Sequence, residues 1–460
     1  MKTALIISVF IKVFGSVFEI VNQILITRFG GVSLFGEYSF YIALIDIICW
    51  VIFSGIVKTN ALYISNGKDI RGFHKRFYFL LALPLVILSS LVLGYFSIVL
   101  SIVVIGAYLY GMQMNLSSIL LAHGKYRVSL FGEYLLSRVT IFIFVLILIS
   151  TNTLSTFALV LSYSIGFLVS VTFFLIKCHD VNHEGTALTR LEKKMLIRRR
   201  VNYQLTDVAN GLITQLPMIV QYLFAGAFNA GVLSVVLVAR KLINFIGGPA
   251  VKVYLPDFAK RWSSQDIFGL KKSYREVVLL QMCFILPVSL ILIASPEAIL
   301  AIYSPELEPY TDYLQFAALV FLFMVMFGPQ GNLLSMAEQE SKETWTKWLS
   351  LAAMIGVMVL TSHDEKFVLF GIAAQALVDA LLKYGAVCKT LQGSPIKASD
   401  WLILFIPFVF LVCILTSLSL GITEQLLCSC AGAIVLCVFE SLVFFRSQIS
   451  NKVKRIIHRM

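Results

Sequence analysis

The run FYFLLALPLVILSSLVLGYFS, residues 77–97, contains no charged side chain and is long enough to cross the apolar core of a bilayer as a helix. Further apolar stretches of similar length precede and follow it along the chain. Together they predict an all-α polytopic membrane protein with about fourteen transmembrane helices. We place these helices at 5–26, 38–63, 77–97, 99–122, 131–150, 154–177, 203–226, 231–255, 277–295, 312–336, 345–361, 366–388, 401–420 and 425–446.

Basic residues are distributed unevenly among the connections between these helices. The connections on the same side as the N-terminus hold most of the 37 Lys and Arg residues, whereas the opposite connections hold only Arg28. By the positive-inside rule, both termini are predicted to be cytoplasmic. The net charge of +12 therefore belongs to short loops that set topology and attract anionic head groups. We expect membrane lipids as partners and no nucleic-acid interface.

The composition excludes a soluble domain of ordinary size, because 59% of the residues are hydrophobic and 13% are charged. The eight cysteines are scattered without CxxC spacing, and all six histidines fall in predicted loops or tails. A disulfide framework or a metal site would require clustered ligands. We therefore predict neither a metal site nor a cofactor.

A weak internal repeat divides the first twelve predicted helices into two sets of six. The pattern Phe-x6-Gly-x2-Ser occurs at 29–39 and again, 195 residues later, at 224–234. The same offset places Asp46 in correspondence with Lys241, so opposite charges occupy equivalent positions in the two halves. Transporters built from repeats bind their substrates between the two halves. Two six-helix lobes around a central cavity are therefore predicted.

The predicted domain limits follow from this repeat. The 178–202 connection is interpreted as a solvated amphipathic linker, with a helix on the lipid surface as the alternative. The domains are an N-terminal six-helix lobe at 1–177, a basic cytoplasmic linker at 178–202, a C-terminal six-helix lobe at 203–390, and an extra helix pair with a basic cytoplasmic tail at 391–460.

The stretch Ile26-Thr27-Arg28-Phe29-Gly30, followed by Phe35-Gly36-Glu37-Tyr38, resembles the polysaccharide flippases. These are O-antigen and capsule repeat-unit transporters of the multidrug/oligosaccharidyl-lipid/polysaccharide superfamily. The resemblance implies a bacterial inner-membrane protein that moves an undecaprenyl-diphosphate-linked oligosaccharide from the cytoplasmic to the periplasmic leaflet. It also implies polysaccharide polymerases and glycosyltransferases as partners.

The chain departs from that family in two respects. Gly30-Gly31-Val32 stands where the family commonly has a Gly-Pro pair. Many of these flippases have twelve helices, whereas fourteen are predicted here. The extra pair at 401–420 and 425–446 resembles the tail of the peptidoglycan-precursor flippases, so the subfamily stays open.

A diphosphate cargo requires cations inside the membrane, where an isolated charge is costly. The predicted diphosphate-binding residues are Arg240 and Lys241 in the eighth helix, Arg138 in the fifth and Lys12 in the first. Arginine donates two hydrogen bonds to a phosphate at once, and lysine acts as a point charge. The competing interpretation is that a neighbouring carboxylate neutralises each cation and that the pair holds helices together.

Other polar residues are expected to line the cavity or to bind a coupling proton or sodium ion. Lys12, Glu19 and Gln23 recur at a spacing that places them on one face of the first helix. Asp46 is a candidate for the coupling ion, or for an ion pair with Arg240 or Lys241. The predicted cavity and coupling residues are Asp46, Glu19, Gln23, Asn244 and Lys58.

Glycine and proline mark the predicted hinges for alternating access. These hinges are Gly247-Gly248-Pro249 and Gly328-Pro329. In the twelfth helix, Asp379 and Lys383 are four residues apart, and we predict that they pair within that helix.

Other functional classes compete with a repeat-unit flippase. An ion-coupled multidrug antiporter or a peptidoglycan lipid-precursor flippase of the same superfamily would share the fold. A membrane polymerase or ligase needs a large outer loop, but the longest outer connection, about 296–311, has no basic residue to hold a diphosphate. A nucleotide-driven pump needs a G-x-x-x-x-G-K-[ST] loop, which neither Gly67-Lys68 nor Gly124-Lys125 fits. We predict a transporter and not an enzyme.

Overall fold

The computed structural model describes residues 2–65, 68–70, 77–179, 186–337, 339–418 and 421–457. By their internal contacts, the residues group into two compact units, Met1–Ser234 and Val235–Met460. Helices dominate both units. The predicted domain boundary lies earlier, at 178–202, and the predicted domain limits stay a prediction.

Eight helices begin in the described part of the first unit. Short π-helical segments, Phe77–Ala82 and Phe131–Leu136, precede two of them, and β1 (Lys68–Asp69) pairs in parallel with β2 (Thr186–Ala187). The helices are α1 (Lys2–Phe53), α2 (Ile56–Ser65), α3 (Leu83–Phe96), α4 (Ile98–Ala122), α5 (Tyr126–Leu130), α6 (Ser137–Ser150), α7 (Thr156–His179) and α8 (Arg190–Val236).

The second unit continues the helical pattern over its described residues. A 3-10 helix, Pro305–Tyr310, lies between two of its elements. The helices are α9 (Val238–Ser263), α10 (Ile267–Ala294), α11 (Pro296–Tyr303), α12 (Thr311–Met326), α13 (Gln330–Met336), α14 (Glu340–Leu360), α15 (Phe367–Thr390), α16 (Ala398–Ser417) and α17 (Ile422–Ile457).

Eleven helical stretches among the described residues are long and apolar enough to cross a membrane. Two of them, Phe10–Phe53 and Glu192–Ile243, bend sharply and each contains two of the predicted segments. The predicted segment 345–361 is absent from these eleven, but α14 covers nearly all of it. The all-α polytopic fold class is therefore confirmed, and about fourteen membrane segments agree with the structure.

The surface agrees with a multi-pass membrane protein. On α3, large apolar side chains such as Leu88, Leu91 and Phe96 are exposed along the whole helix. Apolar exposure of this extent is rare on soluble monomers and is typical of contact with lipid tails.

Two glycines produce the sharp bends in α1 and α8. Gly31 and Gly226 each have φ of +83°, which glycine adopts without the penalty that other residues meet. Gly226 follows Gly31 by 195 residues, which is the offset of the predicted repeat. The sequence predicted loops between these helix pairs, but a single glycine with positive φ makes each turn, and helix continues on both sides.

The segments after the two bends pack against each other within the first unit. A Cβ atom on Gly36 would lie 1.9 Å from the carbonyl oxygen of Ala227, and one on Gly231 would lie 2.1 Å from that of Val32. The two contacts are equivalent under the 195-residue offset. Glycine at both positions lets the backbones approach closely, as in small-residue helix crossings in membranes. We call this contact the glycine crossing.

Replacing Gly36 or Gly231 with Ala should lower the free energy of unfolding by about 1–3 kcal/mol, because the added methyl group meets rigid backbone. Thermal unfolding in detergent measures the effect. Gly385→Ala is the matched control, since its Cβ would meet open space on an exposed face of α15, and we expect no loss. Equal melting temperatures for Gly36→Ala and the parent would contradict the close approach.

A small folded cluster lies between β1, β2 and the start of α8. Lys68 Nζ lies 2.9 Å from Glu192 Oε1, and Glu192 also accepts hydrogen bonds from the backbone and hydroxyl of Thr189. This Thr-x-x-Glu arrangement is a capping box that begins α8. Tyr63, Ile70, Leu188 and Leu196 form the apolar layer beneath it. Part of the predicted linker is therefore an ordered helix start.

In the second unit, α10 is the central helix. It packs against α9, α12, α16 and α17, and most of its residues are buried. A helix covered on all sides reads as apolar all round, which explains the composition of this span. The predicted extra pair, α16 and α17, thus packs directly on α10.

Candidate functional site

The polar face of α1 meets α6 at an ion pair. Arg138 Nη2 lies 3.5 Å from Glu19 Oε2, and the two side chains are 25% and 27% exposed. Glycine at position 15 lets α1 approach the segment before α6 closely, since a Cβ there would lie 2.3 Å from the backbone oxygen of Tyr134. Lys12 Nζ lies 5.4 Å from the centre of the Tyr134 ring. Lys12 and Glu19 therefore lie along the same side of α1.

A tyrosine ring on α7 contacts Arg138, and a tyrosine of α1 packs against that ring. The guanidinium carbon of Arg138 lies 5.9 Å from the centre of the Tyr163 ring on α7, within cation–π range. Tyr163 in turn meets Tyr38 edge-on, with ring centres 6.3 Å apart, and both rings are buried. No spacing signal links positions 38 and 163, since only the fold brings them together.

Asp46 lies further along α1, after the Gly31 bend. It accepts a hydrogen bond from Gln215 Nε2 on α8. The predicted alternatives for Asp46, a coupling ion or a partner in Arg240 or Lys241, stay predictions.

Two amide oxygens in this part of α1 are buried acceptors. Within the described residues, Asn22 Oδ1 and Gln23 Oε1 have no hydrogen-bond partner. A buried acceptor without a donor is destabilising. A ligand with hydroxyl groups would satisfy both oxygens, and both residues lie one helical turn after Glu19, the partner of Arg138.

The predicted cations of the second unit lie at the start of α9. Arg240 is half-buried, Lys241 is exposed, and the charge of Asp379 acts on Arg240. Asp379 Oδ2 accepts from Lys383 Nζ at 2.7 Å, and both side chains are buried. The predicted pairing within α15 is therefore confirmed.

A second buried pair, missed at the level of sequence, lies on α14. Lys347 Nζ is 3.6 Å from Glu343 Oε1, and these side chains are 11% and 17% exposed. α14 and α15 form an antiparallel hairpin in which Gly371 packs beside Met354. Counting about seven to twelve residues from that contact along each helix places Glu343 and Lys347 at the level of Asp379 and Lys383. The i,i+4 spacing of Glu343 and Lys347 is a signal that would have identified it.

Several predicted site residues lie partly outside the described residues. Only the backbone is described at the following positions: Lys58, Asn244, Gly247, Gly248 and Pro249. The backbone of α9 is helical through 244–249, and its role as a hinge stays a prediction.

The second predicted hinge coincides with a break in the chain. Gly328, with φ of +82°, and Pro329 separate α12 from α13. Tyr274 Oη donates to the carbonyl oxygen of Phe327 at 2.6 Å, which satisfies a group released by the break. Movement at this position stays a prediction.

Substitution of Glu19 or Arg138 by glutamine tests the ion pair. Glu19→Gln or Arg138→Gln should each destabilise the protein by about 2 kcal/mol, because each leaves the partner charge half-buried. The double variant should lose less than the sum, with a coupling energy of about 1 kcal/mol or more. Thermal unfolding of all four proteins measures the cycle, and strict additivity would show that the two side chains do not interact.

Comparison with known proteins gives structural relatives but no sequence relatives. No protein-family model matches the chain, and no curated protein sequence matches it. A solved lipid II flippase MurJ in an inward closed conformation aligns with a TM-score of 0.70 at 15% identity, over 98% of this chain and 100% of that one. This coverage includes the C-terminal helix pair.

Solved multidrug resistance MATE transporters of the MOP superfamily share the fold as well. An inward-facing structure aligns with a TM-score of 0.65 at 11% identity, covering 84% of this chain and 98% of its own. An outward-facing structure aligns with a TM-score of 0.60 at 13% identity, covering 85% and 96%. At these identities the likeness establishes the fold.

Proposed function

We propose that the protein is a flippase for an undecaprenyl-diphosphate-linked oligosaccharide repeat unit. It would move this lipid from the cytoplasmic to the periplasmic leaflet of the bacterial inner membrane by alternating access, for O-antigen or capsular polysaccharide biosynthesis. One observation carries the proposal. Lys12, Arg138, Arg240 and Lys241 lie on membrane-spanning helices of a chain that folds like a solved lipid flippase over 98% of its length.

The proposed role of Arg138 is to exchange partners. Its 3.5 Å contact with Glu19 is longer than the roughly 2.7–2.9 Å of a strong charge-assisted hydrogen bond. A diphosphate accepts two parallel hydrogen bonds from one guanidinium and carries more charge than one carboxylate. Cargo phosphate would therefore compete with Glu19 for Arg138. Lys12, on the same side of α1, would add a point charge.

The sugar would contact the rings and amides near this pair. Tyr38 and Tyr163 offer aromatic faces and hydroxyl groups, and Asn22 and Gln23 offer buried acceptors without partners among the described residues. Sugar hydroxyls are donors and acceptors, while the apolar ring faces of a sugar stack on aromatic groups. The surroundings of Arg138 thus suit a head group that carries both phosphate and sugar.

Two related functions remain as alternatives: a flippase for a peptidoglycan lipid precursor and an ion-coupled multidrug antiporter. The alignment with the MurJ structure includes α16 and α17, which favours a peptidoglycan lipid precursor as cargo. A repeat-unit cargo rests on the resemblance at 26–38. An ion-coupled multidrug antiporter would use Asp46 or Glu19 for its ion, but Asp46 is hydrogen-bonded to Gln215 and Glu19 is paired with Arg138. Cation binding would first have to displace those partners.

The lipid-linked oligosaccharide pool distinguishes these functions. In cells that lack the protein, we expect one diphosphate-linked glycan to accumulate on the cytoplasmic leaflet, and complementation should restore it to the periplasmic side. Leaflet-specific labelling of the glycan is the measurement. Accumulation of the peptidoglycan precursor would select the second cargo. An unchanged pool with altered resistance to cationic drugs would support the antiporter and overturn the flippase proposal.

Charge removal in the second unit tests the proposed binding role. The double variant Arg240→Ala/Lys241→Ala should abolish complementation while membrane insertion and abundance stay at the parental level. Lys260→Ala is the matched control, because Lys260 is exposed at the end of α9, and it should complement fully. Normal transport by the double variant would remove both residues from the mechanism.

A further inference from the structure

The predicted helix at 38–63 is interrupted near its inner end. α1 ends at Phe53 and α2 begins at Ile56, with Ser54 and Gly55 between them, and Gly55 has φ of +77°. An interruption of this kind leaves carbonyl groups at the end of α1 and N–H groups at the start of α2 without helical partners. Inside a membrane protein, other groups must satisfy them.

Side chains of α8 satisfy the exposed carbonyl end of α1. Arg200 Nη2 donates to the carbonyl oxygen of Ile52 at 3.3 Å, and Gln204 Nε2 donates to that of Val51. Arg200 is 7% exposed, and its guanidinium carbon lies 4.1 Å from the centre of the Phe77 ring. A cation at a helix C-terminus also opposes the negative end of the helix dipole.

Asp207, on the same face of α8, makes a hydrogen bond at the start of α2. Asp207 Oδ2 accepts from the backbone N–H of Gly55 at 3.3 Å. Here a carboxylate faces the positive end of a helix dipole. Arg200, Gln204 and Asp207 are spaced four and three residues apart, so one face of α8 matches both ends of the break.

The contact between α8 and α1 changes character along its length. Towards the outer end it consists of ring stacking between Phe40 and Tyr222, with centres 4.1 Å apart, and then of the glycine crossing. Pro217 lies in α8 between this apolar part and the inner part, where the hydrogen bonds of Arg200, Gln204 and Asp207 are joined by a packing contact, that of Gly211 against Trp50. Proline removes one helical hydrogen bond and permits a bend. Water can replace the inner hydrogen bonds, but it cannot replace stacked rings or backbone packed on glycine.

We propose that Arg200, Gln204 and Asp207 are gating residues, which hold the inner half of α8 against the break between α1 and α2. Their release, with bending at Pro217, opens the inner end of this contact while the glycine crossing stays closed. The inference does not depend on the cargo, because the contacts lie within one unit and need no ligand.

A thiol at position 54 reports on this contact. Ser54 is 2% exposed and its hydroxyl has no partner among the described residues, so Ser54→Cys removes no hydrogen bond. The full-length protein in nanodiscs is treated with N-ethylmaleimide, and peptide mass spectrometry reads each site separately. Adding Arg200→Gln or Asp207→Asn should accelerate labelling at position 54 about tenfold, as expected for loss of a charged hydrogen bond.

Two controls separate gating from general loosening. Arg199→Gln removes an exposed neighbouring charge and should leave the labelling rate at position 54 unchanged. Ala230→Cys, buried beside the glycine crossing, should label at the same slow rate in every background. Unchanged labelling at position 54 in both Arg200→Gln and Asp207→Asn would overturn the proposal. Equal acceleration at positions 54 and 230, or acceleration by Arg199→Gln, would also overturn it.

Discussion

The need to satisfy every backbone polar group within a bilayer governs this structure more than any single packing contact. Continuous helix is the simplest solution, and the chain follows it through most of the described residues. Two departures from helix carry their own compensation. Arg200, Gln204 and Asp207 serve the break at Gly55, and the Tyr274 hydroxyl serves the one before Gly328.

Three charged pairs follow the same logic of local compensation. Asp379 and Lys383 pair within α15, Glu343 and Lys347 pair within α14, and Glu19 reaches Arg138 across two helices. Pairs four residues apart on one helix keep a fixed separation when that helix moves as a rigid body. A pair between helices does not, so its strength changes with helix position. For the flippase that we propose, this difference makes Glu19 and Arg138 better suited than the pairs within helices to respond to a diphosphate.

The sequence predicts the parts of this fold that depend on composition and period. The apolar lengths identify the membrane segments, and the four-residue spacing identifies the pairing of Asp379 with Lys383. The length of the first connection was overestimated from its glycines. A loop was expected around 27–37, but only Gly31 departs from helix there. The tyrosines around Arg138 and the contacts of Arg200 were not predictable, since they join segments far apart in sequence without any local period.

The glycine crossing also bears on how the protein is made. Gly36 meets backbone near residues 227–231, so the part of α1 around Gly36 lacks this packing partner until α8 has left the ribosome. At about 5–20 residues per second, the intervening chain takes about 10–40 s to synthesise. During that time α1 exposes a strip of bare backbone to lipid or to insertion factors. The early helices must therefore wait in the membrane in a partly assembled state, and completion of the first unit is tied to the arrival of the second repeat.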